Sequence, residues 1–137
     1  MDYLPLFLDL TQKSVLVVGA GEVAERKISL LLRAGAKVTV VAPEVGDGVA
    51  RLRTDEQLAV LARGFRPGDV EGNALVVAAT DDEAINESVF RVCKARNILV
   101  NSVDQPQLSS AIFPALVDRS PVLVAVSTGG NSPTLAR

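Results

Sequence analysis

Ser14-Val15-Leu16-Val17-Val18-Gly19-Ala20-Gly21-Glu22-Val23-Ala24-Glu25-Arg26-Lys27 is the stretch that decides the fold. A continuous apolar run ends in G-x-G-x-x-A, and a helical pattern begins at once. This is the βα turn that receives a dinucleotide pyrophosphate, here in its full strand–turn–helix context. Gly19 permits the sharp turn, and Gly21 puts no side chain between backbone and phosphate. Ala24 is small enough for helix and strand to pack closely. The exposed N–H groups and the positive end of the helix dipole then face the anion. The competing reading is a tight turn in an α/β fold that binds no nucleotide.

Outward from this stretch, apolar and turn signals alternate. Met1 to Leu10, with Pro5, reads as an extended lead-in strand. After the strand Ser14–Val18 comes a helix over Glu22–Arg33, with Val23, Ala24, Ile28, Leu31 and Leu32 on one face and Gly35 closing it. Lys37–Val41 is a second strand ended by Ala42-Pro43. A short helix over Val45–Arg53 and a strand at Leu58–Leu61 follow, then a loop over residues 63–72 with one helical turn. Ala74–Ala79 is a buried strand, and Thr80 or Asp81 caps a helix from Asp82 to Ala95. Ile98–Val103 is the fifth strand. Such alternation specifies parallel strands joined by right-handed crossovers. Ile112–Val117 and Val122–Ser127 are joined by about four residues, and so form an antiparallel hairpin outside the alternation. The expected architecture is an α/β, Rossmann-type, doubly wound parallel sheet over residues 1–113, followed by a short β-hairpin in 114–137. Asn131 or Ser132 with Pro133 starts a helix that stops after one turn, which suggests a fragment of a longer protein.

The bulk properties agree. The 137 residues suit one domain, and 48% are apolar but only 4% aromatic, the aliphatic bias of a parallel sheet covered by helices. A net charge of −2 gives no electrostatic case for nucleic acid or an anionic membrane. No apolar run reaches bilayer-spanning length and no signal-peptide pattern opens the chain, so the expected setting is cytoplasmic. The single cysteine, Cys93, supports neither a disulfide framework nor a thiolate metal cluster, and reads as a small buried hydrophobe. Histidine is absent. That removes Ser-His and Cys-His dyads and His-ligated zinc, and leaves proton transfer to Asp, Glu, Lys, Tyr or water.

Four clusters could carry chemistry. At the end of the second strand, where many NAD enzymes place a ribose-binding acid, the chain has Ala42-Pro43-Glu44. Glu44 reads equally as a ribose ligand or a solvated loop charge, and the lack of an arginine there favours NAD over NADP. In Ala78-Ala79-Thr80-Asp81-Asp82, Thr80 is a cofactor contact candidate while the aspartates read first as helix caps. In Asn101-Ser102-Val103-Asp104, Asp104 is either a turn aspartate before Gln105-Pro106 or a general base beside the nicotinamide, and could also meet a hard cation. Ser127-Thr128-Gly129-Gly130-Asn131-Ser132-Pro133 is either a capped turn or an anion-binding helix start for an acidic substrate.

Together these residues resemble the N-terminal module of siroheme synthase, the precorrin-2 dehydrogenase and sirohydrochlorin ferrochelatase family. The likeness runs from Tyr3-Leu4-Pro5-Leu6-Phe7 to Leu135-Ala136-Arg137. It rests on the glycine turn through Lys27, on the Thr80 and Asp104 clusters, and on Phe113-Pro114-Ala115, Asp118-Arg119-Ser120-Pro121 and Val124 to Pro133. The resemblance implies NAD-dependent oxidation of precorrin-2 to sirohydrochlorin, followed in many members by ferrous iron insertion in the same cleft. It implies that one aspartate, here Asp104, serves both steps and meets the metal transiently. It places cofactor contacts at Gly19, Gly21, Glu22, Val23, Pro43, Glu44 and Thr80, and substrate contacts at Asn101, Ser127, Thr128, Gly129 and Asn131. It also implies a homodimer that exchanges the segment from about Pro114 onward, which begins the dimerisation and substrate-cleft region. Thr128 stands where serine is common in the family. Two readings compete with it: a non-catalytic NAD-binding regulatory module, and a dehydrogenase for another small acidic substrate.

Overall fold

Strand β1 (Ser14–Val18) is buried on both faces, so its alternate side chains divide between two cores. The computed structural model, described here for residues 1–127, places it at the centre of a five-stranded parallel sheet. The other strands are β2 (Lys37–Val41), β3 (Leu58–Leu61), β4 (Leu75–Ala78) and β5 (Leu99–Ser102), in the order β3-β2-β1-β4-β5. Val15 and Val17 face α1 (Glu22–Arg33) and α2 (Asp47–Leu52), meeting Ala24, Ile28, Leu31 and Val49. Leu16 and Val18 face α3 (Glu83–Ala95), meeting Val89 and Cys93. The sheet is therefore doubly wound, as its alternation of strands and helices required. The order reverses between β1 and β4, and such a switch point opens a crevice at the carboxyl ends of the strands.

Helix α1 buries the face carrying Ala24, Ile28 and Leu31, and Gly35 at φ 81° closes it. Helix α3 starts at Asp82, whose carboxylate accepts from the N–H groups of Ala84 (2.9 Å) and Ile85 (3.4 Å). The cap is thus Asp82, not Thr80 or Asp81. Burial pushes the Cys93 thiol up to about 11, which keeps it an inert packing group. No helix among the described residues is long and apolar enough to cross a membrane.

Two expectations shift. Residues 1–10 form no strand. They lead into β1, both of whose edges are already taken by β2 and β4. The hairpin is β6 (Ala115–Arg119) with β7 (Val122–Val126), antiparallel, so its first strand starts after Phe113-Pro114 instead of at Ile112. Pro114 has no N–H to give a ladder, and Phe113 is drawn onto the main core beside Ala111. Both hairpin strands are exposed on both faces, including Leu116, Val117, Val122, Leu123, Val124 and Val126.

The loop after β3 is held by Arg63, which donates to both oxygens of Asp69 at 2.9 and 2.8 Å. Asp69 also accepts from the Arg66 N–H at 2.8 Å. The Arg63 guanidinium, foremost, holds the Asp69 carboxyl below its ordinary value of 3.8. A depressed folded value means that this contribution to stability is complete above 3.8 and is lost as pH falls through the lower folded value. Asp69→Asn should therefore lower the melting temperature at neutral pH and narrow the gap to wild type on acidification below 3.8, as followed by circular dichroism.

Candidate functional site

At the carboxyl edge of β1 the chain has no room for a side chain. Gly19 sits at φ 120°, and a Cβ there would lie 2.4 Å from the Ala79 carbonyl oxygen. Strands β1 and β4, paired at Val18 and Ala78, thus continue past one another in direct backbone contact. Gly21 differs: a Cβ there would meet nothing within 4 Å. It precedes the first residue of α1 and offers no side-chain cap, so the N–H groups of the first turn, beginning at Glu22 and Val23, have no capping side chain. This is a cradle for an anion: open space over donors and a helix dipole, with a bare backbone wall. The residues present fit a dinucleotide.

The segment after β2 folds over the same turn. Gly46 donates its N–H to the Ala20 carbonyl at 2.9 Å, and a Cβ on Gly46 would lie 2.7 Å from that oxygen. Pro43 and Glu44, both exposed, are thereby carried beside Gly19–Gly21. Gly46 was not singled out from the sequence; its demand is visible only once Ala20 lies against it.

Thr80 and Asp104 share the neighbouring crevice edge. Val103 donates to the Ala78 carbonyl (3.0 Å) and Gln105 to the Ser102 carbonyl (3.0 Å), which closes a turn with Asp104 at φ 60°. Asp104 is exposed at this turn. Lys27, two turns along α1 from Gly21, points its ammonium over the Phe113 ring at 4.1 Å. Burial lowers the Lys27 pKa below that of a free lysine, and the Asp104 charge acts against this shift. A lysine on α1 thus stacks on an aromatic ring and feels the Asp104 charge. Lys27 lay inside the glycine-turn motif with no role assigned, because its partners are distant in sequence.

The Thr80 hydroxyl is engaged within the protein: it lies 2.7 Å from Asn86 Oδ1 and accepts from the Asp82 N–H at 3.2 Å. Asn101, buried, donates Nδ2 to the Ala111 carbonyl at 3.0 Å and so braces the segment leading to Phe113. Its Oδ1, like the Ser102 hydroxyl, is buried with no partner among the described residues. Ser127 ends the described chain, and Thr128, Gly129 and Asn131 lie outside it. Among the described residues no three His, Cys, Asp or Glu side chains converge.

The fold and the cradle define a dinucleotide-binding Rossmann domain. Residues 6–115 match the family model described as "Putative NAD(P)-binding", and the chain belongs to that family. Along its whole length it is 51% identical to siroheme synthase of Methylobacillus flagellatus and 53% identical to siroheme synthase 1 of Cronobacter sakazakii. It spans about three-tenths of the length of each, 29% in both cases. Among solved structures it resembles SirC, a precorrin-2 dehydrogenase, with TM-score 0.85 and 34% identity over 98% of this chain and 66% of that one. Likeness to an Escherichia coli tRNA N6-threonylcarbamoyladenosine dehydratase (TM-score 0.57, 16% identity, 80% of this chain and 55% of that one) reflects the shared fold alone.

The two glycines separate fold from ligand. Gly21→Leu should leave the melting temperature nearly unchanged and weaken NAD+ binding at least about tenfold, read by calorimetry. Gly19→Ala, strained at positive φ and overlapping Ala79, should destabilise the fold itself by about 3 kcal/mol or more in urea denaturation.

Proposed function

We propose that the chain carries the NAD-dependent oxidation of precorrin-2 to sirohydrochlorin, with NAD+ reduced to NADH and one proton released. The observation that carries this reading is Asp104 at the carboxyl end of β5, on the same sheet edge as the glycine cradle, in a chain that shares 34% identity with a precorrin-2 dehydrogenase. Gly19, Gly21 and the N–H groups of Glu22 and Val23 would hold the pyrophosphate, Pro43 and Glu44 the adenosine ribose, and Thr80 the nicotinamide end. Glu44, with no arginine beside it, favours NAD over NADP. Bound NAD+ supplies the hydride acceptor.

Asp104 takes the proton that leaves the macrocycle as the hydride departs. In a chain without histidine, a carboxylate at the crevice edge is a suitable base. Ser127, Thr128, Gly129 and Asn131 would meet the acidic side chains of the tetrapyrrole, while Asn101, buried and donating to Ala111, would brace the cleft from behind. Removal of pyrrole N–H protons by the same carboxylate would serve insertion of ferrous iron, here a substrate. The lone Cys93 thiol suits a reducing, cytoplasmic setting.

Residues 1–113 form the dinucleotide unit in this reading, and residues from Pro114 begin a dimerisation and substrate-cleft region. The β6–β7 hairpin supports a homodimer: an isolated two-stranded ribbon is marginal in water, and this one exposes apolar side chains on both faces. Its ion pair to α1, Arg33 to Asp118 at 3.3 Å, is too exposed to anchor it.

Anaerobic incubation with precorrin-2 and NAD+ should yield NADH, and Asp104→Ala should abolish it while leaving NAD+ affinity within about twofold. Undiminished turnover in that variant would remove Asp104 from the chemistry. NAD+ binding without turnover would point instead to a regulatory binding module. In light scattering the chain should run as a dimer and Val124→Asp as a monomer.

A further inference from the structure

One buried polar residue beside the crevice is not used by the dehydrogenase reading. Asn86 lies on the inner face of α3, one turn after the Asp82 cap and one turn before Val89, and is 4% exposed. A buried amide on an apolar helix face is costly unless every polar atom finds a partner. Here each does. Asn86 Oδ1 accepts from the Thr80 hydroxyl at 2.7 Å and from the Thr80 N–H at 3.3 Å. Its Nδ2 donates to the Thr80 carbonyl at 3.0 Å and to Gln105 Oε1 at 3.3 Å. These four bonds exhaust the two donors and two acceptor sites of the amide.

The arrangement has two arms. The pair to Thr80 reads both N–H and C=O of one residue, as a neighbouring strand would, and so continues the pairing of β4 past Ala79. The bond to Gln105 reaches the residue that follows Asp104. Gln105 closes the Asp104 turn through its N–H to Ser102 and accepts the Leu108 N–H (3.0 Å) and Ser109 hydroxyl (3.0 Å) on its carbonyl. One side chain thus joins the edge that would meet the nicotinamide to the turn that carries the carboxylate.

We infer that Asn86 is a positioning residue that holds Thr80 and, through Gln105, fixes the Asp104 turn relative to the bound dinucleotide. It touches neither cofactor nor substrate. Displacement of a reacting group by about 1 Å can cost on the order of 100-fold in rate, so a small relaxation of this turn is enough to register.

The inference rests on the dehydrogenase reading for its kinetic consequence, and two variants separate its arms. Gln105→Leu removes the link and leaves the Thr80 clamp; it should lower kcat about tenfold with KM for NAD+ within about twofold. Asn86→Asp leaves the Thr80 carbonyl without its donor, while the Gln105 amide can turn over and donate to the new carboxylate. It should raise KM for NAD+ about threefold to tenfold and change kcat less than Gln105→Leu does. A merely structural role would lower the melting temperature and scale both parameters together in both variants. That outcome, or kcat unchanged in Gln105→Leu, would overturn the inference. A second measurement does not need turnover. In amide NMR spectra NAD+ should shift the resonances of Thr80 and of Leu108, whose N–H closes on the Gln105 carbonyl, and in Gln105→Leu only Thr80 should still respond. Persistence of the Leu108 response in that variant, or its absence in the unsubstituted chain, would overturn the coupling. If precorrin-2 is not oxidised but the NMR pattern holds, the dehydrogenase reading falls and the coupling stands.

Discussion

The fold turns on a contact that excludes a single carbon atom. Gly19 passes the Ala79 carbonyl so closely that any Cβ would overlap it. The overlap matters because β1 and β4 are the two strands at which the sheet order reverses. If they were forced apart there, the crevice would lose its floor, and α1 would start from a different point and direction. With the contact made, Ala24 packs fully buried beneath the helix and Gly46 can close on Ala20. The absence of side chains at Gly19 and Gly21 then serves two purposes. The first lets backbone meet backbone, and the second leaves backbone open to an anion.

What could be read from the sequence follows the range of the interactions. The β1 turn, the burial of Ala24, Ile28 and Leu31 on α1, and the parallel alternation are set by neighbours a few residues apart, so periodicity exposes them. The lead-in and the hairpin start are decided elsewhere. Residues 1–10 have strand-like composition but pair with no strand, and Ile112-Phe113 is apolar because Phe113 serves the core and Lys27, not a ladder. Propensity gives a segment's preference, and only the tertiary arrangement supplies its partner.

The same limit governed the site. Asp104 could be picked out as a candidate because it follows a strand in a chain lacking histidine. Lys27 and Asn86 could not, since their partners stand more than seventy residues away in one case (Lys27 and Phe113) and on two separate loops in the other. One signal was available for Asn86: an amide falling on the helix face that otherwise carries Val89 and Cys93. A polar residue in an apolar stripe must be satisfied, and asking what satisfies it leads to the ends of β4 and β5.

The turn at Asp104 shows how local strain and chemistry meet. Its φ of 60° lies in the left-handed region, which glycine adopts freely and which asparagine and aspartate tolerate better than other side chains. A turn of this kind could be made more stably with glycine, so turn formation alone does not select a carboxylate. The surrounding structure holds the residue there instead: Val103 is tied to β4, Gln105 to Ser102 and to Asn86, and Lys27 supplies an opposing charge. An exposed carboxylate held from both sides of the chain keeps its acceptor atoms free while its backbone cannot drift. That combination suits a proton-accepting group and is more than a surface turn requires.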